Sequence, residues 1–225
     1  MRLEPHAFWQ HLDAPGTHAT APGTVYQKAY PATLPDGRQL LLPIRDLPGG
    51  AGAVASLIVN QASFIVEDAL ADAMAAQWQD TAPDVVVGVP TLGLPMANAL
   101  ARRLGHGRMV PLGTSRKFWY EDALSEPISS ITSPGRGKTI YLDPRMVPLL
   151  SGRKVLLVDD VVSTGTSLAA VLRLLAKAGI MPAGIAVAME QGTQWHQTLP
   201  LAERLRGAIK SPLLTASGEG YVVSS

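Results

Sequence analysis

Thirteen consecutive residues constrain this 225-residue chain more than any other segment: Val155-Leu156-Leu157-Val158-Asp159-Asp160-Val161-Val162-Ser163-Thr164-Gly165-Thr166-Ser167. The apolar run to Val158 reads as a strand buried on both faces, the pattern of a parallel sheet covered by helices. Two adjacent acids follow at the expected carboxyl end of that strand. A turn of small, hydroxyl-bearing residues comes next. It opens a helix that carries Leu168, Val171, Leu172 and Leu175 on one face and stops at Gly179. In open α/β sheets the carboxyl edge is where ligands bind.

The chemistry of the segment follows from its residue types. A turn such as Ser163 to Ser167 exposes backbone N–H groups and hydroxyls, and the helix dipole adds positive potential, so a phosphate fits there. Gly165 allows close backbone approach and conformations closed to larger residues. Asp159 and Asp160 can accept hydrogen bonds from vicinal sugar hydroxyls. They also favour a hard cation such as Mg²⁺, directly or through water. No Gly-Lys-Ser/Thr follows the turn, so this is not a Walker-type nucleotide loop.

Around this segment the chain alternates strand and helix signals. Ser63 is placed to cap a helix with Val66, Leu70, Met74 and Trp78 on one face. Val85 to Val89 reads as a buried strand. Pro95 suits the first turn of a helix bearing Ala97, Leu100, Ala101 and Leu104, which ends at Gly105. Met109 to Leu112, Thr139 to Leu142, Lys154 to Val158 and Ile185 to Met189 complete the strands. The expected fold is therefore α/β, a doubly wound, mainly parallel sheet with helices on both faces. Residues 1–62 are turn-rich, with Pro35-Asp36-Gly37 between Val25–Thr33 and Arg38–Pro43 marking a hairpin. They read as a small N-terminal flap or hood, and residues 63–225 as the core. Within the core, residues 113–138 form a long polar stretch, a length that in a compact domain usually carries function.

Composition narrows the partners. A net charge of +1 from 19 basic and 18 acidic residues gives no electrostatic reason to expect nucleic acid or an anionic membrane. The chain has no cysteine, which excludes disulfides, thiolate metal sites and cysteine nucleophiles. The start, Met1 to His6, lacks the apolar stretch of a secretory signal, and no apolar run nears the ~20 residues of a spanning helix. A soluble, cytoplasmic protein is expected. His6, His11, His18, His106 and His196 show no metal-ligand spacing.

At the apolar strand, acid pair and Ser/Thr-Gly-Thr turn, the sequence resembles the type I phosphoribosyltransferase family, over roughly Asp84 to Glu190. The resemblance implies that Asp159 and Asp160 bind the ribose hydroxyls of 5-phosphoribosyl 1-pyrophosphate. It also implies that Ser163, Thr164, Gly165, Thr166 and Ser167 hold its 5-phosphate, with Val161 and Val162 completing the phosphoribosyl-binding segment. Thr91, Leu92 and Gly93, after the Val89 strand, match the family's pyrophosphate-binding turn, although a plain strand-to-helix turn would read the same. Arg116 and Lys117 are similar to the family's basic pair, which would offset charge on departing pyrophosphate; solvated surface cations are the alternative. Residues 113–138 correspond to the family's closing loop, with Glu121, Arg136 and Lys138 as catalytic candidates. Phe118, Trp119 and Tyr120 could stack on a planar base or anchor the loop. Glu190 lies either near the ribose or base, or simply at a helix start.

The resemblance implies an Mg²⁺-dependent homodimeric transferase that displaces pyrophosphate with a nucleobase, giving a nucleoside 5′-monophosphate. Catalytic weight would fall on Asp159, Asp160 and Lys117. The aromatic trio and basic pair before the long loop resemble adenine or related purine transferases more than orotate ones, which implies a purine acceptor. The rival reading is a regulator on the same fold that senses the ribosyl pyrophosphate without catalysis. Such proteins add a DNA-binding helix-turn-helix, for which the first fifty residues and the charge give no support.

Overall fold

The computed structural model describes residues 4–50, 52–128, 138–218 and 220–224. Its elements in chain order are β1 (Ala29–Thr33), β2 (Gln39–Asp46), β3 (Ala53–Ala55), α1 (Phe64–Trp78), β4 (Val85–Gly88), α2 (Gly93–Arg103), β5 (Val110–Pro111), β6 (Ser125–Ile128), β7 (Lys138–Tyr141), β8 (Val155–Val162), α3 (Thr166–Lys177), β9 (Gly184–Gln191), α4 (Trp195–Thr198), β10 (Leu205–Ser211), β11 (Leu213–Ser217) and β12 (Gly220–Val223).

The core sheet has the order β5-β4-β8-β9-β10, and every pairing in it is parallel. Its three inner strands β4, β8 and β9 are almost wholly buried, which is why they read as apolar runs. The side chain of Ser63 caps α1 by accepting the Val66 amide at 3.3 Å. Helices α1 and α2 cover one face through Val66, Leu70, Met74, Met96, Ala97 and Leu100. Helix α3 covers the other through Leu168, Val171, Leu174 and Leu175. The fold is thus the doubly wound α/β architecture expected. Strand β10, which the sequence pattern did not reveal, extends the sheet beyond β9.

The connections set the site. From β4 the chain passes through α2 on one face to β5. From β8 it passes through α3 on the opposite face to β9. Strands β4 and β8 are neighbours, with Gly88 opposite Val158. The chain therefore diverges to both sides between them, the topological switch point where open sheets form a ligand crevice.

Three boundaries differ from the sequence expectation. Strand β8 does not stop at Val158 but runs to Val162, because β9 continues to pair with it, Asp159 opposite Val187 and Val162 opposite Glu190. Strand β9 likewise runs past Met189 to Gln191, held by β10. The stretch 113–138 is not wholly loop: β6 and β7 pair as an antiparallel hairpin, and its tip, including the candidate Arg136, lies outside the described residues. Glu126 ties the hairpin to α3, and its buried carboxylate, 2.7 Å from both Arg173 and Lys177, is compensated by that pairing.

The hairpin at Pro35-Asp36-Gly37 forms as β1 and β2. The sheet containing it has the order β1-β2-β3-β11-β12 and so draws on both ends of the chain. Gln191, buried at the end of β9, donates from Nε2 to the Ala55 carbonyl of β3 at 2.9 Å, which fastens this small sheet at the carboxyl end of the core. Among the described residues no helix is long and apolar enough to cross a membrane.

Candidate functional site

Asp159 and Asp160 lie on the part of β8 that outruns β4. Strand β4 ends at Gly88, and the Val89 amide still reaches the Val158 carbonyl at 2.9 Å. Beyond that point β4 no longer pairs with β8, and the start of α2 at Gly93 lies against Val158 and Asp159. Gly93, at the start of α2, meets the acid pair directly: a Cβ placed there would lie 2.7 Å from Asp159 Oδ1. The two segments assigned to pyrophosphate and ribose, 66 residues apart in sequence when counted from Gly93 to Asp159, are thus in van der Waals contact.

The electrostatics of the pair are unusual. Asp159 is buried, and loss of water followed by repulsion from Asp160 pushes its carboxyl well above the ordinary carboxylate range. Burial raises Asp160 as well. The Asp160 amide donates to Asp159 Oδ1 at 2.9 Å, yet no cationic side chain pairs with either acid among the described residues. A buried and a half-buried carboxyl side by side without a counter-ion make a site that gains from a cation or from hydroxyl donors.

Next in the chain, Ser163 to Gly165 turn into α3. Gly165 has φ 79°, a left-handed conformation that glycine adopts without a Cβ clash. The hydroxyls of Thr164 and Thr166 are 3.1 Å apart on this turn. The backbone N–H of Gly165 has no acceptor among the described residues. With the first amides of α3 it forms an anion-receptive corner.

The other predicted residues fall as follows. Thr91 is exposed and Leu92 half-buried, just before α2. Arg116 and Lys117 leave the sheet after β5, the neighbour of β4, and both are exposed. Arg116 reaches Asp122 at 2.9 Å. The aromatic trio splits. Phe118 is 96% exposed. Trp119 donates from Nε1 to Asp143 at 3.3 Å and carries the Arg145 guanidinium 4.5 Å above its ring, and Tyr120 packs on Tyr141. Glu121 is exposed, and Lys138 opens β7. Glu190 is engaged within the sheet: its Oε1 accepts the Gly207 amide at 2.7 Å, in space that only a glycine leaves.

Two partners of these candidate residues had no local signature. Asp143, bound by Arg145 at 2.6 Å and by Trp119, has its carboxyl lowered to about 2, with the Arg145 hydrogen bond as the main cause. Thr198 donates from its hydroxyl to the Thr164 carbonyl. Neither pairing follows a sequence period, so only the folded chain reveals it. A cavity of about 210 Å³ lies at the opposite, amino-terminal end of the sheet, between Asp84, His106 and Arg153, away from the acids.

Comparison with known proteins agrees with this geometry. Residues 58–205 match the model of the phosphoribosyl transferase domain. An orotate phosphoribosyltransferase of Xanthomonas euvesicatoria pv. vesicatoria is 37% identical over 122 residues, 54% of this chain and 47% of that protein. A hypoxanthine/guanine phosphoribosyltransferase of Methanosalsum zhilinae is 33% identical over 52% of this chain and 56% of its own length. The chain spans about half the length of the curated relatives it matches. Among solved structures, the adenine phosphoribosyltransferase of Giardia lamblia, complexed with 9-deazaadenine, superposes with a TM-score of 0.60 at 25% identity, covering 74% of this chain and 93% of that one. The family match takes in α1 to α4, the acid pair and both turns, and the chain therefore belongs to the phosphoribosyl transferase domain family.

Proposed function

We propose that the protein transfers a 5-phosphoribosyl group from 5-phosphoribosyl 1-pyrophosphate to a purine base. The observation that carries this reading is the meeting of the Asp159–Asp160 pair with the Gly93 turn on one side and the Ser163–Ser167 turn on the other. A sugar with a phosphate at each end needs this arrangement: hydroxyl acceptors in the middle, N–H donors at both flanks.

In the reaction the bond from C1 of ribose to pyrophosphate breaks, and a ring nitrogen of the base bonds to C1 and loses its proton. The transition state resembles an oxocarbenium ion, as in glycoside cleavage. Asp159 and Asp160 anchor the ribose hydroxyls and lie on the side of developing positive charge. Thr91 to Gly93 and the Arg116–Lys117 pair receive the charge that collects on pyrophosphate. Phe118, exposed beside the anchored Trp119, offers a flat surface for the base.

The acid pair suits Mg²⁺, which takes oxygen ligands and is commonly held by one or two carboxylates plus substrate phosphates. Among the described residues no third acidic or imidazole group joins them, so the remaining oxygens would come from substrate and water. Bound there, the ion would neutralise phosphate charge and relieve the repulsion between Asp159 and Asp160.

The purine assignment draws on the adenine enzyme from Giardia lamblia, whereas the orotate relative from Xanthomonas marks the competing acceptor. The test is pyrophosphate release from the ribosyl pyrophosphate and Mg²⁺ with adenine, hypoxanthine, guanine, uracil or orotate. Release with a purine is expected. Release with orotate alone would overturn the purine assignment, and silence with every base would overturn transfer itself.

A further inference from the structure

Helix α4 and the residue after it form the back wall of the turn from Ser163 to Ser167. A Cβ at Gly165 would meet Leu199 Cβ and Thr198 Oγ1 at 3.0 Å and Trp195 Cβ at 3.3 Å. Trp195 is itself buried, with Nε1 donating to the Gly192 carbonyl at 3.2 Å, so this wall is fixed to the end of β9. Against it the Thr198 hydroxyl donates to the Thr164 carbonyl. The alternative acceptor, the Trp195 carbonyl, is 3.5 Å away. A hydroxyl has one proton to give, and here the turn receives it.

The direction of that bond matters. The Thr164–Gly165 peptide is trans. Across a trans peptide the carbonyl and the following N–H point in opposite directions. Holding the Thr164 carbonyl against α4 therefore aims the Gly165 N–H away from α4, toward the open side of the turn, where it has no acceptor among the described residues. It also removes from that side a carbonyl oxygen that would repel an anion. Glycine at 165 has no side chain to resist rotation of this peptide. The constraint must come from outside the turn, and Thr198 supplies it.

We infer that Thr198 is a positioning residue: by pinning the Thr164 carbonyl it presets the Gly165 amide for the 5-phosphate of the bound ribose. This deepens the proposed function and rests on it. Thr198 touches no substrate in this account. It acts through the orientation of one peptide plane, and only the phosphate held by this turn should feel its loss.

The experiment compares the wild-type chain with Thr198→Val, which keeps the shape and removes the hydroxyl, and Thr198→Ser, which restores it. Calorimetric titration with ribose 5-phosphate and, separately, with inorganic pyrophosphate reads the two ends of the site. Thr198→Val should weaken ribose 5-phosphate about tenfold, a typical cost of one misdirected hydrogen bond. Pyrophosphate, held at the Gly93 turn, should change by less than about twofold, as for an independent site. Thr198→Ser should recover wild-type affinity, and the Gly165 amide resonance should shift on ribose 5-phosphate addition in wild type but less in Thr198→Val. Equal affinity of Thr198→Val and wild type for ribose 5-phosphate would overturn the inference. So would an equal loss for both ligands, since that signals general damage. If the wild type itself bound neither ligand, the proposed function would fall together with it.

Discussion

Gly93 touches Asp159: a side chain on the glycine would put its Cβ 2.7 Å from the Asp159 carboxylate and 2.8 Å from its Cα. The second distance is to backbone, which cannot swing aside. Gly93→Ala should therefore separate the first turn of α2 from β8, with an overpacking cost of about 1–3 kcal/mol. A displacement on the order of 1 Å between pyrophosphate and ribose sites should lower turnover by roughly 100-fold. Thermal unfolding and steady-state rates measure both, and an Ala variant that turns over like wild type would show that the contact is not functional.

The acid pair makes the unliganded protein sensitive to alkaline pH in a definite sense. Both carboxyls are raised above 3.8 in the folded state, chiefly by burial. The folded chain thus holds protons that the unfolded chain has released. The stability associated with these groups is full below the unfolded value and declines as pH climbs through the raised ones. Asp159→Asn/Asp160→Asn should melt above wild type at about pH 8, with the gap closing toward about pH 4. Mg²⁺ should raise the wild-type melting temperature at the higher pH and leave the double variant unmoved. Activity of the double variant should be lost.

Phe118 and Trp119 are adjacent yet should behave differently. Phe118 is 96% exposed, while Trp119 is tied to Asp143 and Arg145. If Phe118 stacks on the base, Phe118→Ala should raise KM for the base about tenfold with little change in Tm or in KM for the ribosyl pyrophosphate. Trp119→Ala should instead lower Tm and raise both KM values, because the segment that carries these residues loses its tie to Asp143 and Arg145. An unchanged base KM in Phe118→Ala would remove that residue from the base site.

Glu126 ties the β6–β7 hairpin to α3 through Lys177 and Arg173, and these hold its carboxyl below the usual range. Its contribution is present above the ordinary carboxylate pKa and fades as pH falls through the lowered value. Glu126→Ala should speed amide exchange across Ser125–Ile128 and Lys138–Tyr141 by about tenfold or more, with smaller changes in β4 and β8. Uniform exchange rates in hairpin and core would mean that the hairpin does not open as a separate unit.

Local pattern fixed a good deal. The apolar runs of β4, β8 and β9, the buried faces of α1, α2 and α3 and the turn at Pro35-Asp36-Gly37 all follow from residue type and period within a few neighbours. The acid pair and the Ser-Thr-Gly-Thr-Ser turn carry their chemistry in one continuous segment, and so the family was readable from it. Tertiary structure decided what depends on partners far along the chain. Asp159 and Asp160 belong to β8 because β9 goes on pairing where β4 has stopped. Strands β11 and β12 join β3 from the other end of the sequence. The partners Thr198 of Thr164, Asp143 of Trp119 and Gly207 of Glu190 were chosen the same way. Strand pairing and side-chain partnering are non-local, set by which surfaces meet once helices have packed on both faces of the sheet, and no sequence period records them.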